Sequence, residues 1–139
     1  MDSCESLSEI EARLPNGFHD AYLETVTLDL AANTARMDLQ LLVSDLDAVT
    51  EEEREAYRRA TLQLKGLVYF VIDPPGPKGE WKQDGGVSLD AGDATDDSNP
   101  KAPRPLMPLP TGTFAYWFFV RDWNAFIHVA ARGATLQWG

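Results

Sequence analysis

The chain has little of the material from which catalytic and metal-binding sites are made. Its 139 residues include one cysteine and two histidines. Cys4 has no second cysteine with which to form a disulfide, and its acidic neighbour Glu5 disfavours the thiolate that a nucleophilic cysteine requires. The motifs of phosphate-binding loops, dinucleotide-binding turns, zinc proteases and serine hydrolases are missing from the sequence. We therefore predict that the chain is not an enzyme and that it holds no metal and no cofactor.

Long apolar runs are also missing. A membrane-spanning helix needs about 18 consecutive apolar residues, and no stretch of the chain approaches that length. The opening residues lack the basic and then apolar pattern of a secretory signal. These two features favour a cytoplasmic protein that does not bind membranes.

Basic residues are the third scarce feature. The formal net charge is −10, and residues 1–50 contribute ten Asp or Glu against only Arg13 and Arg36. Nucleic-acid binding depends on clustered Lys and Arg that displace counterions from phosphates, and no such cluster occurs. Charge therefore argues against nucleic acid and favours a basic protein as the partner. An acidic surface that serves solubility alone is the alternative.

The residues that are present are typical of a folded, β-rich domain. Hydrophobic residues make up 44% of the chain, and its length fits a single domain over residues 1–139. Residues 21–43 alternate apolar and polar side chains, which predicts a hairpin with one buried face. Asn33 lies in its loop and tolerates the left-handed backbone that a short loop needs. Before this hairpin, the capping-box spacing of Ser6 and Glu9 predicts a short amphipathic helix over residues 6–14.

Further elements are expected along the rest of the chain. One or two helical turns are predicted over residues 51–58 and a strand over residues 60–72, with a bulge at Gly66. The last two strands are placed at residues 112–121 and 125–138, and Gly133 is a candidate for a second bulge.

Between these strands, residues 73–111 hold eight of the nine prolines. We expect an irregular Pro/Gly/Asp-rich excursion here, mobile around residues 84–99. The acidic run within it, from Asp90 to Asp97, lacks the spacing of a calcium-binding loop.

Two of the predicted strands are apolar on both faces. Residues 67–72 are apolar at every position, and residues 114–120 include four consecutive aromatic side chains. A strand with one face in water does not have this pattern. A helix, the proline-rich excursion, a second layer of sheet or a partner subunit must cover the second face. The expected fold is mainly β (α+β): an antiparallel sheet of five or more strands, partly two-layered, with the short N-terminal helix packed on it.

Four residues are candidates for contact with a ligand or partner. His19 and Asp20 are adjacent at the entry to the first strand, where the alternative is that they bond backbone groups. His128 lies in the last strand, and it would need to meet His19 to form a site; a half-buried strand histidine is the alternative. Trp81 lies in the irregular excursion and either contacts a partner or fixes the loop to the sheet.

The segment Gly17-Phe18-His19-Asp20-Ala21-Tyr22-Leu23, followed by the alternating hairpin, resembles the opening of small bacterial proteins of β-rich fold. Some of these look like immunity proteins of polymorphic toxin systems. The resemblance covers about residues 15–43, and it implies a β-rich, non-catalytic binding protein.

Three functions remain open. The leading interpretation is a non-enzymatic protein-binding protein, of immunity type with a basic partner. A second is a small-ligand binder or small enzyme with a pocket near His19, Asp20 and His128. A third is a self-associating structural domain, a homodimer formed through the strand at residues 114–120.

Overall fold

The computed structural model describes residues 4–44, 50, 56–77, 79–95 and 103–139. These residues form one helix and six antiparallel strands. The elements are α1 (Leu7–Ala12), β1 (Tyr22–Asp29), β2 (Thr34–Leu42), β3 (Tyr57–Ile72), β4 (Val87–Ala94), β5 (Phe114–Val120) and β6 (Ala125–Trp138). The strands close into a barrel in the order β1-β2-β3-β6-β5-β4.

The predicted hairpin is confirmed as β1 and β2, paired from Tyr22 with Gln40 to Asp29 with Thr34. Asn33 adopts the expected left-handed backbone, with a φ of 58°. The inward side chains of β2 are buried and join the core of the barrel. The alternation of the sequence therefore corresponds to an inner and an outer face of the barrel wall.

The N-terminal helix is also confirmed, although it is shorter than residues 6–14. Ser6 caps α1, and Ser6 and Glu9 form the reciprocal capping box. The helix contacts β4, β5 and β6, and its apolar residues Leu7 and Ile10 are fully buried in the same core as the inward residues of the strands. We conclude that α1 packs across one end of the barrel.

Strand β3 starts earlier than expected, at Tyr57. The last part of the helix predicted over residues 51–58 is therefore wrong, and residues 51–55 lie outside the described part of the chain. Gly66 has a φ of 64°, and the pairing with β6 shifts between Leu67 and Tyr69, which confirms an irregularity here. No shift occurs at Gly133; a Cβ at that position would collide with the side chain of Cys4.

The excursion over residues 73–111 is not irregular throughout, because it contains β4. This strand pairs with β5 from Leu89 with Val120 to Ala94 with Tyr116. Most of the segment predicted to be mobile, residues 84–99, therefore lies in or next to a paired strand, and residues 96–99 lie outside the described part. Strand β4 lies between β1 and β5, and it pairs with β5 over most of its length and with β1 at two positions.

Closure of the sheet explains the strands that are apolar on both faces. Instead of forming a partial second layer, the sheet curves so that one face of β5 lines the core, with Tyr116, Phe118 and Val120 fully or almost fully buried. The outer face is half-buried at Trp117 and Phe119. The backbone of Leu106 forms a hydrogen bond with the Tyr69 hydroxyl on β3, so the proline-rich segment covers part of the outer face of β3. No helix among the described residues is long and apolar enough to cross a membrane.

Candidate functional site

The barrel wall is incomplete where β1 meets β4. The two strands pair only at Tyr22 with Ser88 and at Leu23 with Val87. Gly86 makes the close approach possible, because a Cβ there would overlap the carbonyl of Leu23 and its φ is 97°. Beyond Leu23, β1 continues to Asp29 with β2 on one side and no described strand on the other. A gap therefore opens in the wall, at the end of the barrel opposite α1.

A pair of stacked tryptophans borders this gap. Trp123 lies in the turn between β5 and β6, and the chain after β3 wraps around that turn, with the Gly76 N–H donating to the Trp123 carbonyl at 2.8 Å. The wrap places the Trp81 ring on the Trp123 ring, with centroids 4.7 Å apart and planes 2° from parallel. The indole N–H of Trp123 also donates to the Trp81 carbonyl at 3.2 Å. Trp123 is 5% exposed and Trp81 is 58% exposed, so a buried ring holds an exposed one in place.

The gap and the tryptophan pair together form a cleft of about 450 Å³, which we call the tryptophan cleft. Its apolar lining includes Val26, Leu28 and Ile72. The pairing of Leu28 with the buried Ala35 places Leu28 on the inner face of the wall, yet it is 46% exposed. Solvent therefore reaches the inner face of β1 through the cleft.

Charged groups lie at the edge of the tryptophan cleft. Glu24 and Lys82 are both part of its lining. The Glu24 carboxylate accepts a hydrogen bond from Gln40 at 3.2 Å, and Arg59 approaches it to 3.8 Å. The cleft therefore combines an apolar floor, an aromatic wall and a polar margin, which is the composition of a binding site. The Thr25 hydroxyl, also part of the lining, donates a hydrogen bond to the Asp38 carboxylate.

His19 and Asp20 form a separate cluster on the outside of the wall. The Nδ1 atom of His19 lies 3.0 Å from the Asp20 carboxylate. The Arg121 guanidinium donates to Asp20 at 2.8 Å and to Asp90 at 2.9 Å. The hydrogen bond from Arg121 lowers the pKa of Asp20, and burial only partly opposes it. Arg121 follows β5 and bonds Asp20, in the loop before β1, and Asp90, in β4. The cluster therefore links the three segments at the point where the barrel closes.

The same cluster is the one group of metal-ligand type among the described residues. One ligand atom from each of His19, Asp20 and Asp90 lies within 4.8 Å of the others. Arg121 already bonds both carboxylates, and a bound cation would have to share them with this guanidinium. The geometry is that of an ion-pair network.

His128 does not meet His19. Its Nε2 atom lies 3.0 Å from the Asp73 carboxylate on the outer face of the barrel, and its ring contacts Phe126. Its side chain is 11% exposed. Trp117 pairs with His128 across β5 and β6, and its indole nitrogen is buried without a hydrogen-bond partner among the described residues. The structure therefore separates the two histidines: His19 and Asp20 line a pocket of about 280 Å³ with Asn16 and Leu42, and His128 is not part of it.

A half-buried carboxylate, that of Glu11, lies at the end of the barrel covered by α1. The Tyr116 hydroxyl donates to Glu11 at 2.7 Å. Burial raises the pKa of Glu11, and the hydrogen bond from Tyr116 reduces that effect. Burial also raises the pKa of Tyr116. Tyr116 packs against Phe18 and Phe118, so this pair links the helix to the core and is closed off from the tryptophan cleft.

No protein-family model, no curated protein and no solved structure matches the chain.

Of the four candidate residues, Trp81 lies at the tryptophan cleft, and His19 and Asp20 line a smaller pocket on the outside of the wall. Two residues of the sites were missed in the sequence. Trp123 lies between the strands predicted at residues 112–121 and 125–138, and only its large ring between the polar Asp122 and Asn124 signals a further role. The pairing of Arg121 with carboxylates from two other segments has no signal in the sequence, because the paired residues are 101 and 31 positions apart.

Proposed function

We propose that the chain is a non-enzymatic binding protein that recognises a basic protein through the tryptophan cleft. The supporting observation is the exposed Trp81 ring, fixed by its stack on Trp123 beside an apolar opening. Tryptophans that are held rigid lose little conformational entropy when they bind, and they dominate the energetics of many interfaces. The net charge of −10 supports a partner of opposite sign.

Strand β5 supports self-association through strand pairing less well than the tryptophan cleft supports partner binding. Both of its edges are paired, with β4 on one side and β6 on the other. A second copy therefore has no access to its backbone, and only its half-buried outer face remains for packing. Among the three interpretations, partner binding at the tryptophan cleft is the one that the described geometry supports best.

Replacement of Trp81 by alanine tests this proposal. The purified chain is immobilised and exposed to lysate of the source organism at low and at high salt, and the retained basic proteins are quantified. We expect Trp81→Ala to reduce retention of the basic partner at least about tenfold, because truncation of a tryptophan hot spot costs roughly 2 kcal/mol or more. High salt is also expected to reduce retention, since screening weakens the attraction between opposite charges.

Trp138→Ala is the matched control. Trp138 is 37% exposed and stacks under Arg58 at 4.7 Å, far along β6 from the tryptophan cleft. Its replacement should change retention less than about twofold. Equal retention by wild-type chain and the Trp81 variant, or equal loss from both variants, would contradict the proposal.

A small ligand is the second candidate, because a volume of about 450 Å³ falls in the range of small-molecule sites. The low-molecular-weight filtrate of the same lysate separates the two candidates. Thermal stabilisation of wild-type chain by the filtrate, and its loss in Trp81→Ala, would assign the cleft to a small molecule.

A further inference from the structure

The edge of strand β1 that borders the tryptophan cleft has no strand of the described residues beside it after Leu23. Ala21 and Leu23 point their side chains inward and their backbone toward β4, where the Ala21 carbonyl accepts from the Leu89 N–H at 2.8 Å. The pairing with β2 shifts by one residue between Leu23 and Thr25, so Val26 and Leu28 continue the inward face, opposite Met37 and Ala35 of β2.

The face on which a side chain lies fixes the edge to which that residue's N–H and carbonyl point. The N–H and carbonyl groups of Val26 and Leu28 therefore point to the same edge as those of Leu23. No described strand pairs with that edge beyond Leu23.

We infer that this edge of β1 binds an extended segment of the partner protein, which adds as an antiparallel strand along Val26 and Leu28. The added strand continues the line of β4 across the gap, and its inward side chains enter the apolar floor of the tryptophan cleft under Trp81. Main-chain hydrogen bonds to an open strand edge are a recurrent means of peptide recognition. The inference rests on the proposed function and adds the conformation and chemistry of the segment that is bound.

Charge identifies the segment as basic. The two stretches that border the gap, residues 23–29 and 79–87, carry four carboxylates against the single ammonium of Lys82, a balance of −3. The carboxylates belong to Glu24, Asp29, Glu80 and Asp84. Arg59, from β3, offsets Glu24 in part at 3.8 Å. A second copy of this chain would bring the same negative charge to the edge, so a partner with Lys or Arg on the outward side of its strand fits better.

Leu28→Pro tests the edge within the chain itself. Proline removes the N–H that points into the gap and places its ring there, and it leaves the bonds between β1 and β2 in place because these are made by the alternate residues. Leu28→Ala removes the same side chain and keeps the N–H. We expect the proline variant to retain at least about tenfold less of the basic partner than the alanine variant, with thermal unfolding used to show that both variants fold.

A synthetic peptide of alternating lysine and valine, with blocked ends, provides a test on the wild-type chain that does not depend on the variant. In an antiparallel pair the inward valines exchange the hydrogen bonds with Val26 and Leu28, and the lysines direct their amides away. N-methylation of the valine amides is expected to weaken binding at least about tenfold, and N-methylation of the lysine amides less than about twofold. The readout is the shift of the Val26 and Leu28 amide resonances during titration.

The outcomes separate this inference from the proposed function. If the Trp81 variant loses the partner and Leu28→Pro behaves as Leu28→Ala, the cleft binds but the edge does not pair, and the inference fails alone. The inference also fails if the lysine-valine peptide does not bind at millimolar concentration, or if a glutamate-valine peptide binds equally well. Equal affinity of the two N-methylated peptides would likewise contradict it. A dimer detected by light scattering and abolished by Leu28→Pro would replace the basic partner with a second copy and overturn the assignment.

Discussion

Trp81 shows how far single residues can be interpreted from sequence. Its position in a proline-rich stretch between charged neighbours left open whether it contacts a partner or fixes the loop, and the structure shows its ring stacked on Trp123 and 58% exposed at an open cleft. The support beneath it, Trp123, lies 42 residues away, and no local pattern connects the two rings. The sequence could not show whether His19 and His128 lie together. In the closed barrel His19 lies beside Asp20 and His128 lies beside Asp73, so the two histidines do not share a site.

Glu11 gives a prediction about pH. Its pKa is raised by burial, so the folded state binds its proton more tightly than the unfolded state, and the ionised carboxylate lowers the free energy of unfolding at neutral pH. That penalty should disappear as the pH falls toward the ordinary value of 4.5. We expect Glu11→Gln to be more stable than wild-type chain at pH 7 and equal to it near pH 4.5, in chemical denaturation experiments.

The comparison is confined to the window above about pH 4.5 because other carboxylates act below it. The pKa values of Asp20 and Asp38 are lowered, by hydrogen bonds from Arg121 and Thr25 respectively. Their stabilising contribution is present above the unfolded value of about 3.9 and is lost as the pH falls further. Glu80→Gln, at an exposed site, serves as control. A Glu11→Gln variant that is less stable than wild-type chain at pH 7 would contradict the interpretation.

At the level of strands and helices, elements with strong local signals were predicted and those with weak signals were not. The capping box of α1 and the alternation of β1 and β2 are local, and the structure confirms both. Strand β4 was missed because its apolar positions are few and small, and Asp90, Gly92 and Asp93 disfavour a strand. Pairing with β5 determines its conformation instead. Tyr57 and Arg58 similarly join β3 because Leu42 and Leu41 of β2 pair with them.

Gly92 gives a prediction about the packing of β4 against the core. A Cβ at this position would lie 2.8 Å from Cε1 and 2.9 Å from the hydroxyl oxygen of Tyr116. Tyr116 is held by Glu11 and by two aromatic neighbours, so it cannot move freely. We expect Gly92→Ala to lower the free energy of unfolding by about 1–3 kcal/mol, the usual cost of overpacking.

A double-mutant cycle with Tyr116→Phe checks the cause. Removing the hydroxyl relieves one of the two close contacts, so the cost of Gly92→Ala should be smaller in the Phe background. An alanine variant as stable as wild-type chain, or an unchanged cost in the Phe background, would show that Tyr116 does not limit this position.

Closure of the sheet could not be derived from the sequence, although its consequence was visible there. Strands with two apolar faces required a cover, and several covers were consistent with the pattern. The barrel supplies the inner cover by curvature, which depends on the pairing of strands distant in sequence and on the irregularity near Gly66. The gap beside β1 has the same origin, because β4 begins at Val87 while β1 continues past Leu23, and it defines the tryptophan cleft.

Amide hydrogen exchange of the free chain tests the gap most directly. The Thr27 N–H should point to β2 and exchange slowly, and the N–H groups of Val26 and Leu28 should point into the gap and exchange at least about a hundredfold faster. This alternation along one strand is expected only if β1 has an open edge. Equal protection of Val26, Thr27 and Leu28 would mean that another strand covers that edge, and neither the tryptophan cleft nor its role in binding would stand.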